Sequence, residues 1–226
     1  MPNTLIYAIH GFLGSASDWN LVKNKLINVN FVAEDLFSKD QQQENSFSSF
    51  EAKKIFLGYS MGGRLGLQLL KKNSGLFDHY IFLSTNPGLP VTADQERKQR
   101  VASDRKWSDK INAENWESFL MEWYSQPIFK ASKEEPKREL KDYDLFKLKE
   151  SLVKWSLGEQ EDFSDIIKQN NYKVTWVVGD RDQKYCEIAK NMKNKAVLLD
   201  YKKISGGHRL WLDNAEAVVS VIKDLI

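Results

Sequence analysis

The sequence predicts an α/β fold, a mostly parallel sheet covered by helices, and three observations lead there. Short apolar runs alternate with amphipathic helical stretches along most of the chain. The runs are apolar almost throughout rather than at every second residue, as expected of strands buried on both faces. One of them, Ile55-Phe56-Leu57, leads into Gly58-Tyr59-Ser60-Met61-Gly62 and at once into a helical pattern. A strand that turns directly into a helix around a serine is the setting of a nucleophile elbow.

Taken in order, residues 5–9 (LIYAI) form the first strand, ending at a turn-rich loop, His10-Gly11-Phe12-Leu13-Gly14-Ser15. Ser17 or Asp18 caps a helix through Trp19, Leu21, Val22 and Leu26. Residues 30–35 make the next strand, and the polar stretch 38–49 a loop with a short helix. After the strand before Ser60, a helix spans 61–72, with Leu65, Leu67, Leu69 and Leu70 as its apolar positions, and Asn73-Ser74-Gly75 stops it. Residues 79–84 are a further buried strand. From about 87 to 158 the texture becomes charged and helical, with Trp107, Trp116, Phe119, Trp123 and Trp155, and breaks at Pro127 and Pro136. We expect this stretch to be a helical insertion over the strand ends. Residues 173–179 restore the strand pattern, followed by a helix near 186–192, a strand near 196–204 and a closing helix over 215–226.

A chain of 226 residues fits a single domain, 1–226, with the insertion at about 87–158. Its 33 Lys and Arg against 31 Asp and Glu leave a net charge of +2, too balanced for a nucleic-acid or anionic-membrane partner. The lone Cys186 excludes an intramolecular disulfide and suits a reducing compartment. The first residues lack a basic leader pattern, and no apolar run is long enough to span a bilayer. A cytoplasmic location is therefore expected, with no membrane insertion. No H-E-x-x-H, Cys pair, P-loop lysine or G-x-G-x-x-G pattern is present, so neither a metal nor a cofactor is expected.

The tight turn forces Ser60 into a strained conformation with its hydroxyl above the sheet, and Gly58 and Gly62 make room for it. The plain alternative is a glycine-rich turn with a capping serine. A serine hydroxyl needs a neighbour to take its proton. Of the three histidines, His208 follows Ser205-Gly206-Gly207 in a loop after the last strand and is the expected base. His10 is expected to pack or order its loop, and His79 to be a surface or packing residue. Val178-Gly179-Asp180-Arg181-Asp182 supplies the acid. Asp182 is favoured because it lies farther past the strand end, with Asp180 as the alternative or as a turn cap. The order Ser, Asp, His is that of an α/β-hydrolase. The backbone N–H groups of Met61 and Phe12 are the candidate oxyanion hole.

Four stretches carry a narrower likeness: residues 10–19 (HGFLGSASDW), 58–64 (GYSMGGR), 84–89 (STNPGL) and 122–129 (EWYSQPIF). In these the chain resembles the 2-succinyl-6-hydroxy-2,4-cyclohexadiene-1-carboxylate synthases of menaquinone biosynthesis, from about Leu5 to the C-terminus. The resemblance implies an α/β-hydrolase fold with a helical cap. It also implies a cofactor-independent carbon–oxygen lyase that eliminates pyruvate from a cyclohexene bearing succinyl, carboxylate and enolpyruvyl groups. Ser60, made basic by His208 and Asp182, would take the ring proton beside the succinyl carbonyl while Phe12 and Met61 hold the enolate oxygen.

A polycarboxylate small molecule calls for cationic forks, which Arg supplies better than Lys. Arg64 lies one helical turn beyond Ser60, and Arg100 stands where the family has an insertion arginine. Tyr59 and Trp123 match its pocket residues. Each has a plainer reading: a surface salt bridge for Arg64, a solvated face for Arg100, packing for Trp123 and loop orientation for Tyr59. Two departures stand out. The family's further insertion arginine is represented only by Arg138, Lys141 or nearby lysines, and the loop after the last strand reads Gly-Gly-His-Arg-Leu-Trp. The rival function is a serine esterase or thioesterase working through an acyl-enzyme.

Overall fold

The computed structural model describes residues 4–38, 53–132 and 134–226. The predicted loop with a short helix at 38–49 lies almost entirely outside them.

The described strands are β1 (Thr4–Ile9), β2 (Asn30–Glu34), β3 (Lys53–Tyr59), β4 (His79–Leu83), β5 (Val174–Gly179) and β6 (Lys202–Ile204). They make one sheet in the order β2-β1-β3-β4-β5-β6, and every pairing is parallel. The helices are α1 (Asn20–Lys23), α2 (Met61–Lys72), α3 (Asp94–Lys110), α4 (Trp116–Tyr124), α5 (Leu145–Lys154), α6 (Ser164–Gln169), α7 (Gln183–Asn194), α8 (Leu210–Asp213) and α9 (Ala215–Lys223).

The buried apolar runs become strands because both faces of the sheet are covered. Ile6, Ile55, Leu57, Ile81 and Val177 point to one face, under Trp19, Val22 and the apolar stripe of α9. Tyr7, Phe56, Tyr80, Phe82 and Trp176 point to the other, against Leu67 and Leu70 of α2 and Ala189 and Met192 of α7. Each such side chain fully buried contributes about 1.5–3 kcal/mol relative to exposure. A third apolar cluster joins Leu13, Phe37 and Met61 to Ile111, Trp116, Phe119 and Leu148, seating the segment between β4 and β5 over the strand ends.

Three local expectations are corrected. The first helix is a 3-10 turn, Ala16–Trp19, running into the short α1. Its N-cap is Ser15, whose N–H donates to Asp18 Oδ2 at 3.3 Å, so Asp18 closes the turn from inside it. The last strand is only Lys202–Ile204, because Ala196 takes a left-handed turn (φ 55°) and Val197 and Leu198 tuck under the sheet. Residues 210–213 form the extra helix α8, which ends just before the closing one begins.

Candidate active site

Ser60 sits between β3 and α2 with φ 50° and ψ −109°, a region costly for any residue with a side chain. The conformation is held from both sides: the Ser60 N–H donates to Leu83 O at 3.0 Å, and its carbonyl accepts the Arg64 N–H at 3.1 Å. Gly62 is required by close approach, since a Cβ there would lie 2.2 Å from Ile9 O. The elbow thus wedges against the end of β1, and the loop after β1 passes beside it. A Cβ on Gly11 would stand 3.5 Å from Ser60 Cβ.

His208 lies in the loop after β6. That loop is held by two carboxylates: Asp180 accepts the Gly206 N–H at 2.9 Å and Asp213 accepts the Gly207 N–H at 2.7 Å. So placed, His208 Nε2 is 3.3 Å from Ser60 Oγ, and Nδ1 donates to Asp182 Oδ2 at 2.7 Å. His208 and Asp182 are both buried. Asp182 is fixed as the N-cap of α7, its Oδ1 accepting the Tyr185 N–H at 3.4 Å. Asp180 is thereby committed to the turn and not to the imidazole.

His10 orders its loop. It is fully buried, with Nδ1 donating to Gly11 O at 2.7 Å and Nε2 accepting the Leu36 N–H at 3.0 Å. His79 stands at the far end of β4, 2.8 Å from Thr175 Oγ1.

Phe12, Tyr59, Trp123 and Arg209 line one cavity with Ser60 and His208. Trp123 packs on Phe12 with centroids 4.7 Å apart, and the Tyr59 ring lies 5.3 Å from His208. Met61, the first residue of α2, directs its free N–H group toward the same end of the helix. Arg64 and Arg100 are brought close to one another but not into this cavity. Arg64 is buried and donates to Trp155 O and, at 3.2 Å, to Gln160 Oε1. Among the described residues it has no carboxylate partner, so the surface salt bridge does not form. Burial, and then the Arg100 charge, pull its guanidinium down to about 10. Arg100 Nε is gripped by Asp104 at 2.8 and 3.0 Å.

Two site residues escaped the sequence reading, and a third was named there only in passing. Tyr185 is buried, its ring centroid 4.6 Å from that of His208. Burial, with the Asp182 charge, pushes its phenol up, keeping it a neutral donor. Its place three residues after Asp182, in the first turn of α7, was the available signal. Arg138, noted only as a stand-in, lines the Ser60 cavity and forks onto Asp18 at 2.7 and 2.8 Å. Arg209 lines it too, and no motif marks it.

No family model matches the chain. A Klebsiella pneumoniae protein named 2-succinyl-6-hydroxy-2,4-cyclohexadiene-1-carboxylate synthase is 23% identical, over 96% of this chain and 92% of its own length. A Haemophilus influenzae protein that carries the same name provisionally is 27% identical, over 98% and 96%. The solved structure of MenH from S. aureus superposes with a TM-score of 0.83 at 20% identity, covering 99% of this chain and 93% of that one. The chain resembles these synthases over nearly its whole length. A thioesterase domain from the curacin biosynthetic pathway superposes less closely, with a TM-score of 0.61 at 17% identity. The fold that the chain shares with both is that of the α/β-hydrolases.

Proposed function

We propose that this protein is a 2-succinyl-6-hydroxy-2,4-cyclohexadiene-1-carboxylate synthase, a lyase of menaquinone biosynthesis that works in the cytoplasm without a cofactor. Its substrate would be 2-succinyl-5-enolpyruvyl-6-hydroxy-3-cyclohexene-1-carboxylate. The observation that carries the reading is the unbroken chain Asp182–His208–Ser60 opening into a cavity with arginines in its wall. A cavity for a neutral ester has no use for buried cations.

In this reading His208 takes the Ser60 proton, and Asp182 holds the imidazole in its Nδ1–H tautomer and steadies the imidazolium. The Ser60 oxygen removes the ring proton beside the succinyl carbonyl. The Phe12 and Met61 N–H groups receive the charge that moves onto the carbonyl oxygen. Collapse of the enolate forms the second ring double bond and breaks the bond to the enolpyruvyl oxygen. The departing enolate is protonated and becomes pyruvate, so no redox partner or water is consumed. Tyr59 and Trp123 would shape the pocket. Arg64 and Arg100, within electrostatic range of Tyr185, would draw the polyanion from the insertion side. The segment 87–158 would act as the cap that keeps water from the enolate.

Release of pyruvate from that substrate tests the reading, against p-nitrophenyl ester turnover as the mark of an acyl-enzyme hydrolase. Pyruvate release is expected, with Ser60→Ala lowering kcat/KM by about 100-fold or more, the loss of the proton-transferring hydroxyl. Fast ester cleavage with no pyruvate would replace the lyase by an esterase or thioesterase.

A further inference from the structure

Arg209 directly follows His208 and is 3% exposed. Its guanidinium lies 4.2 Å from the Phe129 ring centroid and 4.7 Å from that of Tyr124, so two aromatic faces fix its plane. Nη1 donates to Glu134 O at 3.0 Å. Among the described residues Nη2 is buried with no hydrogen-bond partner. The contrast with Arg138, in the wall of the same cavity, is informative. Arg138 spends both terminal nitrogens on Asp18, whereas among the described residues the hydrogen-bond acceptor of Arg209 is a neutral carbonyl. A guanidinium held rigid, desolvated and short of an anion is costly in the empty protein and is satisfied when an anion enters.

We propose that Arg209 is a carboxylate-binding residue of the Ser60 cavity, its free Nη2 taking one carboxylate of a polycarboxylate ligand beside the reacting hydroxyl. The identity of the full substrate rests on the lyase reading. The anion site itself requires only the cavity and the unpartnered fork.

The test uses propane-1,2,3-tricarboxylate, an unreactive polycarboxylate, titrated into the full chain, alongside the kinetics of pyruvate release. Wild type is expected to bind it, and Arg209→Gln to bind about tenfold more weakly or worse, with a shallower salt dependence that a purely structural role would not produce. For the lyase substrate the loss should fall mainly on KM. Arg209→Lys keeps the charge without the fork and should fall between the two. It also decides the matter if the Gln variant does not fold. Affinity within about twofold of wild type in whichever variant folds overturns the assignment, as does a wild type that does not bind the tricarboxylate. Arg209-dependent tricarboxylate binding without any pyruvate release would sink the lyase reading and leave the anion site standing.

Discussion

At the scale of single residues, the site depends on one strained serine and the glycine that lets it be strained. Ser60 holds φ 50° between its bonds to Leu83 O and the Arg64 N–H, and α2 starts hard against the end of β1, where a Cβ on Gly62 would lie 2.2 Å from Ile9 O and 2.5 Å from His10 O. Those are backbone atoms in a strand end and its loop, and they cannot swing aside as a side-chain tip would. Gly62→Ala should therefore cost about 1–3 kcal/mol of stability or more and displace the Ser60 hydroxyl from His208. Urea unfolding and pyruvate release measure the two effects. Gly75→Ala is the control: its new Cβ meets nothing closer than Asn73 Oδ1 at 3.5 Å, so stability should stay within about 0.5 kcal/mol of wild type. Equal losses in both variants would show that the elbow is not tight.

At the scale of elements, the strand edges carry their own pH dependence. His79 opens β4 with Lys53, Lys173 and Lys202 around it, and burial followed by those charges pulls its imidazole from 6.5 down to about 4. Between these values the unfolded chain binds a proton that the folded chain refuses. Stability is therefore intact above pH 6.5 and falls as pH drops toward 4. The full shift would correspond to about 3 kcal/mol, and solvent screening at this half-buried position reduces it to roughly 1–2 kcal/mol. Urea midpoints at pH 7 and pH 4 should show a smaller acid loss in His79→Gln than in wild type, by that amount. Parallel acid losses in the two proteins would clear His79 of the effect.

At the scale of the whole molecule, one buried ion pair ties the segment between β4 and β5 to the 3-10 turn that follows the Phe12 loop. Asp18 and Arg138 lie 120 positions apart and are 5% and 7% exposed, with two hydrogen bonds between them. Asp18→Ala would leave a guanidinium buried without its anion, at a cost of about 3–5 kcal/mol. Asp18→Ala combined with Arg138→Met should be markedly less damaging than the sum of the single changes. Strict additivity in denaturant unfolding would mean that the pair does not couple the two parts. Tyr143, whose hydroxyl donates to Leu13 O at 2.9 Å, strengthens the same seam, while the Trp116 indole, which donates to Arg138 O at 3.0 Å, steadies Arg138 from within its own segment. Among the described residues no helix is long and apolar enough to cross a membrane.

The alternation of apolar runs with helical stretches determined the parallel sheet, because strands buried on both faces need no partner information to be recognised. The serine turn was legible for a similar reason: Gly58, Ser60 and Gly62 are local demands of one backbone bend. The sequence favoured Asp182 over Asp180 only by its distance past the strand end, and the α7 cap and the hold on the loop at Gly206 separate their duties. The short last strand and the Ser15 cap were also out of reach, since a left-handed turn at Ala196 and a closed 3-10 turn leave no periodic trace. Arg209 and Tyr185 came to light only in three dimensions, and only there was Arg138 told apart from Lys141. Burial, missing partners and approach to Ser60 depend on what other segments bring to the cavity, and no spacing along the chain records that.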